Sequence, residues 1–287
     1  MDNFSENEKA LVSLIHQALA EDIGLGDHTS LATIPATLSG IGSVRAKSPG
    51  IISGVEVACL VARALDTDIS IVTHKKDGEK VDAGTTIMEL TGRVRSLLSA
   101  ERLLLNCMQR MSGIATMTRA FVDRIDGTGC KILDTRKTTP NFRLFEKMAV
   151  KAGGGHNHRF GLYDMILIKD NHVDAAGGIL NALERTADYQ REHSLNLAVE
   201  IETRNLDEVR QVLESGHATR IMLDNFSPSM LRDAIKLIDH RMETEASGGI
   251  TIQTVREYAE TGVDYVSVGA LSHSYKSLDI SMKIRPI

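Results

Sequence analysis

What most constrains this chain is a rhythm that sets in after residue 130. Six short runs, KILDTRK (131–137), MILIKDN (165–171), LAVEIET (197–203), RIMLDN (220–225), TEASGG (244–249) and DYVSVGA (264–270), close on polar, charged or small residues. Amphipathic helical text separates most of them: VDAAGGILNALERTADYQREH, LDEVRQVLESG, SPSMLRDAIKLID and TIQTVREYAETG. A repeated strand–helix unit calls for parallel strands, because a parallel neighbour is reached only through a crossover. An α/β barrel of TIM type, incomplete or closed, is therefore expected, with an open doubly wound sheet as competitor. No GxGxxG follows the first run, which weighs against a dinucleotide fold.

Ahead of residue 130 the text is different. Residues 5–20 space Leu11, Leu14, Ile15, Ala18 and Leu19 as an amphipathic helix. The loop EDIGLGDHTS (21–30) follows, then loose alternation over 40–47 and helical text over 55–65. Short β-branched runs around DGEKVDAG, within 69–95, read as hairpins. A long helix is expected over 99–125, with Leu103, Leu104, Cys107, Met108 and Met111 on its apolar side and Gly113 as a candidate break. A chain of 287 residues suits one large domain plus a small one. The boundary is placed at Ser112–Gly113, giving a first domain over 1–112 and a barrel over 113–275, with the tail 276–287 packing back on the first.

Composition narrows the function. With 33 basic and 38 acidic residues the net charge is −5, and aromatics are 4% with no Trp, so neither a basic field nor a stacking surface calls for nucleic acid. Cys59, Cys107 and Cys130 are scattered, with no CxxC, which fits a reducing compartment and neither a disulfide framework nor a zinc site. The N-terminal text is an acidic amphipathic helix, not a signal peptide, and no apolar run has the length of a membrane span. A cytoplasmic protein with no membrane partner is expected.

In a parallel barrel the chemistry sits at the strand ends. Those ends carry Asp134, Arg136, Lys137, Lys169, Asp170, Glu200, Glu202, Asp224, Asn225, Ser247 and Gly269. Residues two apart share a face, so Glu200 and Glu202 point together. Between 131 and 169 lie eight basic residues, Lys131, Arg136, Lys137, Arg143, Lys147, Lys151, Arg159 and Lys169, against Asp134, Glu146 and Asp164. So local an excess in an acidic chain attracts an anion, and Arg offers it bidentate geometry. Arg143, Lys147 and Lys151 recur every four residues and are expected to form a solvated helix face. In KAGGGHNHRFGLYD, three glycines permit close backbone approach or an unusual loop path. His156 and His158 read as structural histidines or donors to a substrate, since no third metal ligand accompanies them. ASGGI (246–250) and VGALSHS (268–274) are turns suited to a phosphate. Glu202 and Asp224 supply the oxygen ligands that Mg²⁺ on a diphosphate prefers.

These residues lie in a text that closely resembles the quinolinate phosphoribosyltransferase family, also called carboxylating nicotinate-nucleotide diphosphorylases. The resemblance rests on DTRKTTPNFRLFEKMAVKAGGGHNHRFGLYDMILIKDNH (134–172). EDIGLGDHTS, AERLLLNCMQRMSGIAT (100–116), VEIE (199–202), LDNF (223–226), EASGGI (245–250) and VDYVSVGALSHS (263–274) follow the family's order. Asn141–Phe142 stand where the family usually has Gly–Leu, and Met148 where Tyr is common.

The resemblance implies an N-terminal α/β sandwich domain and an incomplete barrel of six or seven strands, working as a homodimer or an assembly of dimers. It implies transfer from 5-phosphoribosyl-1-diphosphate to quinolinate with decarboxylation, yielding nicotinate mononucleotide, diphosphate and CO₂ for NAD synthesis. By the same resemblance Arg136, His158, Arg159 and Lys169 meet the two quinolinate carboxylates, joined by Arg102 from the neighbouring subunit. Lys137, Glu202 and Asp224 serve the phosphoribosyl diphosphate and its Mg²⁺, while Ser247, Gly248, Gly249, Gly269, Ala270 and His273 hold its phosphate end. Three alternatives stay open: a relative acting on nicotinate or another heterocyclic acid, a Schiff-base lyase using Lys169 or Lys137, and a carrier module built on the lipoyl-like rhythm of 75–92.

Overall fold

Alternation of burial along short strands builds the first unit. The computed structural model describes residues 6–287. It comprises two units, Met1–Arg119 with Thr138–Gly154 and Ser274–Ile287, and Ala120–Lys137 with Gly155–His273. In the first, α1 (Glu6–Ile23) buries Leu11, Ile15 and Leu19, one per turn. Asp27 caps α2 (His28–Thr33) by accepting the Ser30 amide at 3.0 Å. The strands β1 (Ser39–Ala46), β2 (Gly50–Ile51), β3 (Ser70–Thr73), β4 (Lys80–Val81) and β5 (Thr86–Arg93) follow, with α3 (Val55–Leu65) between β2 and β3. β5 pairs antiparallel with both β1 and β3. The expected plain hairpins are modified, because β4 leaves the β3–β5 connection to pair with β2. Asp77 in that connection accepts the Gly54 and Val55 amides at 2.9 and 2.8 Å, satisfying the start of α3.

The long helix α4 (Val94–Arg124) runs unbroken through Gly113, so the break expected there does not occur. Gly113 has another cause: a Cβ at this position would lie 2.9 Å from Ser277 Cα, and only glycine lets that strand of chain pass. Helix α5 (Arg143–Ala152) belongs to this unit too. It buries Phe145, Glu146, Lys147, Ala149 and Val150. Lys147 is therefore not part of a solvated face, whereas Lys151 is exposed. The four-residue spacing misled because this helix is enclosed on most of its circumference. At its start the Phe142 and Phe145 rings stack at 4.5 Å, with the Arg110 guanidinium over Phe142.

The second unit is a parallel sheet of six strands: β6 (Lys131–Leu133), β7 (Ile166–Ile168), β8 (Val199–Thr203), β9 (Arg220–Asp224), β10 (Glu243–Ser247) and β11 (Tyr265–Ser267). Their order is β6-β11-β10-β9-β8-β7, with parallel registers throughout. A single parallel bridge, Leu133 to His156, adds a seventh short segment beyond β6. β6 and β7 do not pair with each other, so the α/β barrel is incomplete. The crossovers are α6 (Asp170–Ala176), α7 (Ile179–Glu192), α8 (Leu206–Ser215), α9 (Pro228–Ile238) and α10 (Val255–Ala259), with α11 (Ala270–His273) after the last strand. Every residue of β8 is buried, as expected of a strand covered on both faces. Side chains of Asn205 and Ser227 cap α8 and α9. The final strand, β12 (Ile280–Pro286), returns to the first unit and pairs antiparallel with β1. Among the described residues, no helix is long and apolar enough to cross a membrane.

Candidate active site

At the C-terminal ends of these parallel strands lies a cavity of about 770 Å³. Each strand ends where its apolar run stops, so the polar residue that terminates a run is delivered to the cavity wall. From the β6 end come Arg136 and Lys137, from the segment after the His156 bridge His158 and Arg159, and from the β7 end Lys169. Glu202 comes from β8, Asp224 from β9, Ser247, Gly248 and Gly249 from the β10 end, and Gly269, Ala270 and His273 from the turn into α11. The structure thus brings together every expected site residue except Arg102, which lies on α4 in the first unit.

The electrostatics are divided. The cationic side holds Arg136, Lys137, Arg159 and Lys169. Within the described residues, the Nε atoms of Arg136 and Arg159 are buried without a hydrogen-bond partner. Burial, and then the Arg136 charge, push the Arg159 guanidinium below its ordinary value. Two arginines that repel each other beside unpaired buried donors are arranged for an anion they both reach. The anionic side holds Glu202 and Asp224. Burial raises the Glu202 carboxyl; Lys169 Nζ at 3.9 Å opposes this and the like charge of Asp224 adds to it.

Glycine geometry shapes the remaining wall. Gly248 and Gly249 have φ of +99° and +61°, and a Cβ on Gly248 would lie 2.9 Å from the Asn225 amide. Asn225 is itself left-handed, at φ +57°, and donates from its side-chain amide to Asp224 Oδ2 at 2.6 Å. A Cβ on Gly269 would meet Lys137 Cδ at 3.0 Å and His273 Nε2 at 3.2 Å, so this glycine gives both side chains their place. The Lys137 carbonyl accepts a 2.8 Å bond from Ser272 Oγ.

Two strand residues do other work than expected, and a third joins them. Asp134 is 1% exposed and accepts the His158 amide at 2.8 Å and the Asn157 side chain at 2.7 Å, shaping the loop instead of facing the cavity. Glu200 shares the inward face with Glu202, but its carboxylate lies 2.8 Å from His158 Nε2. Glu245, which the sequence reading did not single out as a site residue, is completely buried and lies 3.5 Å from the same nitrogen. Alternation in ETEAS was the available signal: Glu243, Glu245 and Ser247 share a face. His158, Glu200 and Glu245 are the group of three metal-ligand types found close together among the described residues. Burial pushes Glu200 up to about 7 and Glu245 to about 8.

An incomplete parallel barrel with a cationic cavity at its strand ends, two carboxylates opposite and glycine turns at the rim defines an enzyme that handles polyanionic substrates. The chain belongs to the quinolinate phosphoribosyltransferase family: its residues 27–112 and 114–283 match the models of that family's N-terminal and C-terminal domains. It is 47% identical over 278 residues to a probable nicotinate-nucleotide pyrophosphorylase [carboxylating] of Bacillus subtilis, covering 97% of this chain and 94% of that one. A chloroplastic nicotinate-nucleotide pyrophosphorylase [carboxylating] of Arabidopsis thaliana is 46% identical, over 96% of this chain and 82% of that one. The crystal structure of NadC from Streptococcus pyogenes superposes with a TM-score of 0.92 at 37% identity, over 100% of both chains.

Proposed function

We propose that this chain transfers the phosphoribosyl group of 5-phosphoribosyl-1-diphosphate to quinolinate and releases CO₂, giving nicotinate mononucleotide and diphosphate for NAD synthesis. The observation that carries the reading is the pair of unpaired buried guanidinium Nε atoms, Arg136 and Arg159, on the cationic wall of the cavity. A dianionic acid supplies two carboxylates for them and for Lys169. Each charge-assisted bond contributes about 1.5–3 kcal/mol, so a few reach micromolar affinity, about 8 kcal/mol. Arg102 completes this side from the partner subunit of a homodimer.

The ring nitrogen of quinolinate attacks C1 of the ribose as the diphosphate departs. No protein nucleophile is needed. The positive charge that develops on the sugar resembles that in glycoside hydrolysis, and Glu202 and Asp224 face it. Lys137 offsets charge on the leaving diphosphate. Ser247, Gly248, Gly249, Gly269, Ala270 and His273 hold the phosphate end. The ribosylated nitrogen is cationic and accepts the electron pair released when the adjacent carboxylate leaves as CO₂. Glu202 and Asp224 are hard oxygen donors, and the charge of Asp224 adds to the cost of ionising Glu202, which a divalent cation would relieve, so these two residues would hold Mg²⁺. When bound there, Mg²⁺ supplies Lewis-acid stabilisation of the diphosphate. A cytoplasmic location suits the three free cysteines, and fractionation checks it.

The test is product formation from phosphoribosyl diphosphate and Mg²⁺, with quinolinate and nicotinate in parallel tubes. Turnover with quinolinate alone, with one CO₂ per nucleotide, is expected. Turnover with nicotinate alone refutes the dicarboxylate reading and favours the related nicotinate activity. Borohydride trapping of no lysine adduct sets aside the Schiff-base route.

A further inference from the structure

His158 lines the cavity, and each of its ring nitrogens lies beside another group of the chain. Nδ1 accepts the backbone N–H of Arg159 at 2.7 Å. A nitrogen that accepts carries no proton, so the proton of the neutral ring sits on Nε2. That nitrogen lies within ion-pair distance of the buried carboxyls, 2.8 Å from Glu200 and 3.5 Å from Glu245. The ring fixes the backbone from which the Arg159 guanidinium reaches the cavity wall.

The carboxyls are held in turn. Glu245 Oε2 lies 3.4 Å from Arg220 Nη1, and Arg220 is clamped by Glu243 at 2.7 Å. The Arg220 guanidinium stacks on the Tyr265 ring at 4.3 Å, and the Tyr265 hydroxyl donates to Glu243 at 3.0 Å. Ser267 faces Glu245 from β11, and Asp134 holds the His158 amide from the other side. Glu200 and Glu245 are each 0% exposed, and Glu245 backs the cavity wall. Such a chain has the form of the outer partners that set histidine tautomers in catalytic sites.

We propose that Glu200 and Glu245 are positioning residues, which hold His158 as its Nε2–H tautomer so that Nδ1 anchors the Arg159 amide and Arg159 is aimed at the second carboxylate of the substrate. The inference rests on the reading of the cavity as the quinolinate site.

The first measurement needs no variant. With ¹⁵N-histidine labelling, and His158→Gln to assign the signal, His158 of the ligand-free protein is expected to show a bare Nδ1 and a protonated Nε2 at neutral pH. A protonated Nδ1 overturns the proposal whatever the protein catalyses, so this result is separable from failure of the quinolinate assignment. The second uses Glu200→Gln and Glu245→Gln, whose amides can present N–H to Nε2 and force the opposite tautomer. The expected result is a changed His158 tautomer, with KM for quinolinate raised about ten-fold or more and kcat changed much less. KM for phosphoribosyl diphosphate stays as in the wild type. An unchanged tautomer, or a fall in kcat with KM for quinolinate unmoved, overturns it; Glu200→Asp and Glu245→Asp, which keep an acceptor, restore part of the affinity.

Discussion

Replacing Arg136 by Gln removes one guanidinium and keeps a polar side chain of similar reach. Two effects of opposite sign follow. In the ligand-free protein, Arg136 depresses the Arg159 guanidinium by like-charge repulsion, and its own buried Nε has no partner. Relief of one partly exposed charge pair is worth about 0.5–1 kcal/mol. At this chain length that corresponds to a rise in Tm of about 1–3 °C. In the complex, the variant lacks about two charge-assisted bonds to a carboxylate. At about 1.5–2 kcal/mol each, the loss is about 3–4 kcal/mol, or ~10²–10³ in Kd for quinolinate. Phosphoribosyl diphosphate, held at the other wall, keeps its affinity. Calorimetric titration of each substrate, with a thermal melt of the ligand-free variant, measures both effects. Unchanged quinolinate affinity, or a lower Tm, would refute the argument that the cationic wall is strained until an anion arrives.

Three further outcomes are expected. Asp66, at the end of α3, accepts from Arg93, Ser96 and the Asp68 amide, and those bonds hold its carboxyl down to about 2. A depressed acid stabilises the fold above its unfolded value and loses that contribution as pH falls through the folded one. Asp66→Asn thus costs about 1–2 kcal/mol at neutral pH after allowing for the exposed Arg93, and the gap to wild type in urea melts closes between about pH 4 and 2; a gap that persists at pH 2 counts against it. Gly153→Ala places a Cβ 2.6 Å from the Ala115 carbonyl and Thr118 Cβ, so overpacking costs about 1–3 kcal/mol in the same assay, and an unchanged melt would show that α4 and α5 part easily. Gly269→Ala pushes Lys137 and His273 from their places and raises KM for phosphoribosyl diphosphate about ten-fold while sparing that for quinolinate; the reverse selectivity would exchange the two subsites.

The parallel unit was legible because each strand obeys one rule, an apolar run ended by a polar residue, and the crossover text confirms it. Its walls follow from the same rule, which is how Arg136, Lys169, Glu202 and Asp224 were found. What stayed hidden depends on distant packing. The triple glycine left a ligand approach or an unusual loop path open, and packing decides for the path: Gly153 answers to the backbone of α4 and Gly154 to a φ of +91°. Lys147 looked solvated because helical spacing tells which residues share a face, not how many faces are covered. For His158 the sequence left a structural role and a donor role open, because residue type does not reveal tautomer; the Arg159 amide donating to Nδ1 does. Asn141, where the family usually has glycine, sits at φ +60°, so the departure keeps the left-handed turn through the residue that tolerates it next best.

The pairing of β12 with β1 has a consequence for how the molecule is made. On the ribosome, β1 emerges early, but its second hydrogen-bonding neighbour is translated only after all six strands of the parallel sheet. For most of the synthesis the antiparallel sheet therefore carries an open edge of unpaired amides and carbonyls, the kind of edge that recruits other nascent chains. The parallel unit is free to fold first, and the first unit is sealed last, when residues 280–286 clear the exit tunnel.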